Sequence, residues 1–346
     1  MKAVLSAVER DLVVAALAQD GRETGAFESY LAKTDFAGPV DGGHYRIFPL
    51  LYANLARAGV PAERLARFRG VYRHSWCKSQ EISARAAEAA RALNAAGLEP
   101  LFSKGVVLGR RYYDSAALRP MSDADLVVPV GGIRTAARVL RTLGYESKTD
   151  LIALSQAALE DLVAKRHSTG FRRGGDEIDL HWYLMNACRM SAANRRFWSN
   201  SEPFEIEKGT TARQLRPDDM LLHVVVHGLQ WNVMSPLRWI PDAAMILRRE
   251  GASIDWDGLF AAAAAFKLEA HFREGLEFLR ALDIAPIPQW RRRARMSLTE
   301  RVERWAYGKT GAASIAAAFV RLSNSDGRTR IPKLAGRWAL RRIGAI

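Results

Sequence analysis

The sequence predicts an α+β protein, with a small α/β unit held between two helical regions. Three observations carry this expectation. Residues 1–96 are dominated by Ala, Leu, Glu and Arg, the residues that lose least on entering a helix. Residues 98–184 switch to short apolar runs punctuated by glycine and proline. From Pro217 onward the helical texture returns. Length fits this division, because 346 residues correspond to two domains, or three small ones, at ~100–200 residues each. The expected segments are 1–97, 98–190 and 191–346, the last ending in a basic tail.

In the first segment, the stretch from Ala62 to Ala96 contains one helix breaker, Gly70, and Gly97 closes it as a C-cap glycine. Pro61 stands where a helix start tolerates proline. The texture changes at Leu98. Glu99 to Phe102 is short and partly apolar, followed by the turn Ser103-Lys104-Gly105 and a helix-compatible stretch from Val106 to Tyr113. Leu126-Val127-Val128 is strand-like and Pro129 stops it. Ile133 to Leu143 has helical spacing and ends at Gly144. An extended piece near His167 to Arg172 meets a Gly174-Gly175 turn. Glu177 to Trp182 then alternates polar and apolar residues with period two. In the last segment Asp218-Asp219 open a helix from Met220 to Leu229, and Phe260–Phe266 and Leu276–Leu282 are further core helices.

Composition excludes several classes. Apolar residues at 49% and charged residues at 25% give a folded chain with ample core material, not a disordered one. Cys77 and Cys188, the two cysteines, exclude a disulfide scaffold and a four-cysteine zinc site, and both are expected to be buried packing residues in helices. No apolar run reaches the ~18 residues of a membrane span. Glu9, Arg10 and Asp11 interrupt the apolar stretch that a signal peptide needs, so a cytoplasmic location is expected. The net charge of +14 is concentrated in residues 287–346, where 14 Lys and Arg face Glu300, Glu303 and Asp326. That tail is either a surface for phosphates, anionic membrane or an acidic partner, or a solvated basic helix pair.

The chemistry is expected around Asp123-Ala124-Asp125. Side chains two apart on a strand point the same way, so both carboxylates face one side. Glu177, Asp179 and His181 share a face by the same alternation. If the two strands are neighbours, Asp123, Asp125 and Asp179 converge. Such mutually repelling acids are joined by a hard cation such as Mg²⁺, and two such ions suit a phosphoryl displacement. The alternative is a set of solvated edge positions. Upstream, the small turn Ser103-Lys104-Gly105 lets backbone N–H groups approach a phosphate chain, and Lys104 adds a point charge. Arg119 either reaches a phosphate or pairs with a neighbouring acid. His181 either lines the pocket or is hydrogen-bonded to an adjacent carboxylate.

Other signals fail on spacing. His223 and His227 are four apart, but Val224 stands where a zinc protease needs glutamate, which leaves packing or acceptor-site roles. Gly308-Lys309-Thr310 lacks the earlier glycine of a P-loop, since Glu303 occupies that place.

The order Lys104-Gly105, then Arg119-Pro120-Met121-Ser122-Asp123-Ala124-Asp125-Leu126-Val127-Val128, then Leu143-Gly144-Tyr145, His167 and Phe171, and Glu177-Ile178-Asp179-Leu180-His181-Trp182 resembles the uncharacterised nucleotidyltransferase family of the DNA polymerase β superfamily. His44 to Leu51, Leu215 to His227 and Leu237 to Asp242 extend the likeness over roughly residues 40–250. The resemblance implies a polymerase β-like palm core, a small mixed sheet with helices, flanked by helical regions. It implies Asp123 and Asp125 as the metal-binding pair and Asp179 as the third, catalytic carboxylate. Ser103, Lys104, Gly105, Arg119 and His181 are the expected nucleotide-side residues. The superfamily's usual Gly-Ser pair is replaced here by Lys104-Gly105. The implied reaction is Mg²⁺-dependent transfer of a nucleoside monophosphate from an NTP, ATP among the options, to a hydroxyl of a small molecule, peptide or protein. RNA is the second acceptor class, and a non-catalytic NTP-binding regulator is the third possibility.

Overall fold

The computed structural model describes residues 5–186, 188–229 and 237–289. The basic tail, Gly308-Lys309-Thr310, Trp231 and Met234 lie outside the described residues. The helices are α1 (Ala7–Leu17), α2 (Arg22–Lys33), α3 (Gly42–Tyr45), α4 (Phe48–Arg57), α5 (Ala66–Ala95), α6 (Gly105–Arg111), α7 (Ile133–Thr142), α8 (Gln156–Lys165), α9 (Ser191–Ser199), α10 (Pro217–Leu229), α11 (Trp239–Glu250), α12 (Trp256–Ala265) and α13 (Glu269–Leu282). The strands are β1 (Leu101–Phe102), β2 (Ala124–Val127), β3 (Ser168–Arg173), β4 (Asp176–His181), β5 (Ser201–Glu207) and β6 (Thr210–Leu215).

The six strands form one mixed sheet in the order β3-β4-β2-β1-β6-β5. β2 runs parallel to β4 and antiparallel to β1, while β1 runs parallel to β6. The hairpins β3–β4 and β5–β6 close the two sides of the sheet. This is the mixed α+β architecture expected from the sequence, with helices before and after the first four strands.

The sheet does not stop at residue 190, the expected end of the core. β5 and β6 add to it beyond that point, pairing through β6 onto β1. Their sequences, Ser-Glu-Pro-Phe-Glu-Ile-Glu and Thr-Thr-Ala-Arg-Gln-Leu, carry little of the apolar alternation that marks a strand. Pro203 sits in β5 because β5 is the sheet's edge, where a missing N–H costs no ladder bond.

A single buried apolar cluster joins all three sequence segments. It includes Leu12, Phe48 and Leu93 from the N-terminal helices, Leu101, Leu126 and Leu180 from the sheet, and Leu222, Ile246 and Leu276 from the C-terminal helices. The 30-residue α5 packs along the sheet, touching β2, β5 and β6 as well as α4 and α7. α10 is buried on almost every side because it packs against α11, α12 and α13 and also meets β6. Two of these approaches depend on the absence of a side chain. A Cβ on Gly228 of α10 would lie 2.1 Å from the Trp239 ring of α11, and one on Gly275 of α13 would lie 2.3 Å from Val225.

The cysteines depart from expectation. Cys77 lies on α5 but is exposed, beside the half-exposed Trp76. Cys188 is buried, yet it sits in an isolated bridge with Met185 instead of a helix. Among the described residues, no helix is long and apolar enough to cross a membrane.

Candidate metal and nucleotide site

Parallel pairing of β2 and β4 places Asp125 directly opposite Asp179. Their apolar neighbours Leu126 and Leu180 are likewise in register, turned to the other face and fully buried. The period-two alternation therefore drives the leucines into the core and leaves two carboxylates side by side on the opposite face. His181, two residues beyond Asp179, shares that face. Its Nε2 lies 3.1 Å from Asp125 Oδ1 and 3.0 Å from Asp179 Oδ2.

Lys104 comes from the turn between β1 and α6. Its Nζ lies 2.8 Å from the same Asp125 Oδ1. Ser168, at the start of β3, donates from its hydroxyl to Asp179 Oδ2 at 3.2 Å. The cluster opens toward solvent through Asp179, whose side chain is 28% exposed, against 8% for Asp125 and 3% for His181.

Burial alone would raise both carboxyl groups. At Asp125 the charge of Lys104 and the His181 hydrogen bond overcome it and hold the group well below the usual carboxylate range. At Asp179 the His181 bond lowers the group against burial and the charge of Asp125. Burial would lower His181, but its bonds to Asp125 and then Asp179 raise it to about 9. Asp123 moves the other way, pushed up by burial and by the negative charge of Asp125, with Lys104 and Arg238 opposing. Two neighbouring acids with opposite shifts mark a site that holds more negative charge than its own cations balance.

The residues present suit a divalent cation. One ligand atom from each of Asp125, Asp179 and His181 lies within 4.8 Å of the others. The two carboxylates supply hard oxygen donors that suit Mg²⁺, and the imidazole nitrogen, a borderline donor, would join them only after losing the proton it shares with both acids. Asp123 is not part of this closest group. It stands just before β2, half-buried, with Ser122 donating to Oδ1 at 3.3 Å.

The nucleotide-side residues divide. Gly105 is buried at φ +34°, and a Cβ there would meet Met121 Sδ at 3.4 Å and the Asp123 carbonyl at 3.6 Å. Glycine lets this turn pack against the chain entering β2. Ser103 is fully buried, and its hydroxyl has no partner among the described residues. Lys104 is committed to Asp125. Arg119 is not turned to the acids of β2 and β4. It is 2% exposed and makes a bidentate pair with Asp242 of α11, Nε to Oδ1 at 2.7 Å and Nη2 to Oδ2 at 2.9 Å. Of the two roles expected for Arg119, the structure displays the ion pair, buried instead of on the surface.

Three further groups border the site. The His167 ring packs 5.3 Å from that of His181, and burial with the His181 charge lowers it to about 3. His223 and His227 of α10 have ring centroids 5.7 Å apart. His223 is fully buried, and neither ring nitrogen has a partner among the described residues. Burial and then the Lys104 charge hold it well below its ordinary value, and for His227 the Lys104 charge comes first. Their four-residue spacing marked them in the sequence. Arg238 lies in the Leu237–Asp242 stretch that carries the family likeness, but it was not among the expected site residues, and the packing of α11 brings it beside Pro120.

One family matches this chain, described as an uncharacterised nucleotidyltransferase, over residues 44–282. That span includes every strand of the sheet and all the site residues named above. No curated protein matches the chain.

Proposed function

The chain belongs to that uncharacterised nucleotidyltransferase family, and from this premise we propose that it transfers a nucleoside monophosphate from an NTP to the hydroxyl of an acceptor. The acceptor is a small molecule, a peptide or a protein. The observation that carries the proposal is the in-register opposition of Asp125 and Asp179 on one face of the sheet, with His181 bridging them.

Asp125 and Asp179 would hold Mg²⁺, with Asp123 and His181 beside them. Bound there, the ion supplies positive charge to the phosphoryl oxygens and lowers the pKa of the acceptor hydroxyl. Asp179, more open to solvent than Asp125, takes the proton of the acceptor hydroxyl and leaves its oxygen lone pair facing the α-phosphorus. Lys104 neutralises charge that builds on the phosphoryl oxygens during in-line displacement, when pyrophosphate leaves. His181 holds the two carboxylates in register by sharing its Nε2 proton between them. The buried apolar backing of β2 and β4 keeps these groups rigid, so little reorganisation is needed during the reaction.

The test is thermal unfolding of the wild type and the Asp123→Asn/Asp125→Asn double variant with each NTP, with and without Mg²⁺. A ligand that binds only the native state adds about 2.7 kcal/mol at a hundred times its Kd. A Mg²⁺-dependent rise for an NTP, lost in the double variant, supports the proposal and identifies the donor. An equal rise in both proteins sinks it. The net charge of +14 favours RNA as the second acceptor class. Binding to tRNA that weakens steeply with salt would move the assignment there.

A further inference from the structure

β3 is an edge strand of the sheet, and part of its outer side is uncovered. At one end the Arg172 N–H donates to the Glu146 carbonyl at 2.7 Å, and the Glu146 N–H donates to the Arg172 carbonyl at 2.9 Å. Backbone direction alternates along an antiparallel strand, so Gly170 and Ser168 turn their N–H and C=O groups outward as Arg172 does. Neither finds a backbone partner on that side among the described residues. The chain that pairs with Arg172 turns off before reaching them, with the Thr149 N–H donating back to Ser147 Oγ at 3.3 Å. What remains is a short open ladder, the kind of edge that pairs with another extended chain.

This open stretch borders the acids. Gly170 lies opposite Asp179, and Ser168 lies opposite His181. Directly opposed residues of an antiparallel pair share a face, so Gly170 belongs to the face that carries the site. Its φ is not left-handed, so no turn requires glycine there. A Cβ would lie 3.1 Å from Glu177 Oε1. Glycine inside a strand weakens it and marks the close approach of a ligand or another backbone. Here it leaves the floor beside Asp179 bare. Arg166, two residues before Ser168, and Lys148, two residues after Glu146, are exposed cations near the open stretch. Neither makes an ion pair among the described residues.

We propose that the open edge of β3 at Ser168 and Gly170 binds the acceptor as an extended acidic peptide, antiparallel to β3, with a tyrosine opposite Gly170. This rests on the nucleotide-transfer reading and names its acceptor. The residue opposite Gly170 exchanges both hydrogen bonds with it and projects its side chain from the site's face. A strand added there lies two spacings of ~4.8 Å from β4. Serine and threonine carry their hydroxyl on Cβ and fall short of Asp179. Tyrosine carries it at the far end of a ring, and an aromatic beside an edge glycine packs over it. The phenol gives its proton to Asp179, and its oxygen bonds to the α-phosphorus. The bond from that phosphorus to the bridging oxygen breaks, and pyrophosphate leaves with the electron pair. Acidic residues beside the tyrosine complement Arg166 and Lys148.

The probe is a fluorescein-labelled peptide of glutamates around one tyrosine. Anisotropy reads its binding, and label passed from each α-phosphate-labelled NTP with Mg²⁺ reads transfer. The wild type should bind it saturably. Methylating the tyrosine's backbone nitrogen removes one ladder donor and should weaken Kd at least about tenfold, with the protein untouched. Gly170→Ala fills the bare floor and should weaken binding about tenfold while melting near the wild type, since the Glu177 carboxylate can give way. A peptide with serine for tyrosine should accept nucleotide at least about a hundredfold more slowly. No binding to the wild type, or binding unchanged by N-methylation, overturns the edge site. So does a dimer closed edge to edge that excludes the peptide. A serine peptide labelled as fast as the tyrosine one, or label passed to tRNA and not to the bound peptide, overturns the acceptor. Ladder-dependent binding with no label transferred from any NTP keeps the edge site and overturns the transfer reading instead.

Discussion

Two buried carboxylate clusters lie near each other in this fold, and they are built on opposite principles. Around Asp242, one acid meets Tyr113 and two nitrogens of the Arg119 fork, and both carboxylate oxygens are satisfied within the cluster. Around Asp125 and Asp179, two acids face each other, and a third, Asp123, stands beside them with its carboxyl pushed up. The first cluster is closed and neutral, which is what a structural tie between α11 and the loop before β2 requires. The second opens to solvent through Asp179 and gathers three acids around two cations in direct contact with them, Lys104 and His181. Buried charge is therefore no signature of a site by itself. Surplus charge of one sign, facing an opening, is.

The largest effect should come from neutralising the open cluster. Asp125→Asn or Asp179→Asn should lower nucleotide transfer by at least about a thousandfold, roughly 4 kcal/mol of lost transition-state stabilisation. Asp179→Asn, at the solvent-open side, should melt close to the wild type, whereas Asp125→Asn removes the carboxylate that Lys104 and His181 share and should melt measurably lower. Steady-state kinetics beside calorimetric melting checks both halves. Either variant transferring nucleotide at the wild-type rate would break the comparison.

The closed cluster should answer in the opposite way. Arg119→Ala leaves Asp242 buried without its main partner and should cost about 3–5 kcal/mol of stability. Urea denaturation measures this as a lower midpoint with an unchanged slope. Pairing Arg119→Met with Asp242→Leu should recover much of that loss, since both charges then leave together. A double variant as unstable as Arg119→Ala would mean that the cluster does more than tie α11 down.

Much of the open cluster was legible in the sequence; of the closed one, the pairing of Arg119 with an acid was, but not which acid or that the pair is buried. Asp123, Asp125, Asp179 and His181 are marked by period-two alternation, a local rule that the core enforces by burying Leu126 and Leu180. The pairing of β2 with β4 needed only that two such strands be neighbours. By contrast, Arg119 and Asp242 are 123 residues apart and carry no periodic signal, so their meeting depends on how α11 docks. Arg238 was visible in the family likeness over Leu237–Asp242, but its neighbours were not, for the same reason. The β5–β6 hairpin was missed because its strands are polar and one contains Pro203. Cys77 was expected inside because cysteine is usually buried, yet its position on α5 points away from the sheet into solvent.

A smaller effect tests how α11 is held. Gly228→Ala puts a methyl group into the Trp239 ring, with contacts of 2.1 and 2.2 Å that no rotamer change at residue 228 relieves. Either α11 shifts or the ring turns, at a cost of about 1–3 kcal/mol. The shift should leave Asp125 and Asp179 in register, since β2 and β4 carry them. Full stability would show that α10 does not set the position of α11.

The smallest effect isolates burial as the variable. Arg64 and Glu28 make the same two-pronged contact as Arg119 and Asp242, at 2.6 and 2.9 Å, but with side chains 41% and 57% exposed. Water already solvates both groups, so losing the pair exchanges one set of hydrogen bonds for another. Glu28→Gln should leave the melting temperature indistinguishable from the wild type at physiological ionic strength, where the remaining attraction is screened. If Glu28→Gln destabilised the chain as much as Arg119→Ala, geometry alone would set the strength of such pairs. The contrast between the closed cluster and the surface would then lose its physical basis. With burial as the deciding variable, the same fork that adds little at Arg64 becomes a structural tie at Arg119.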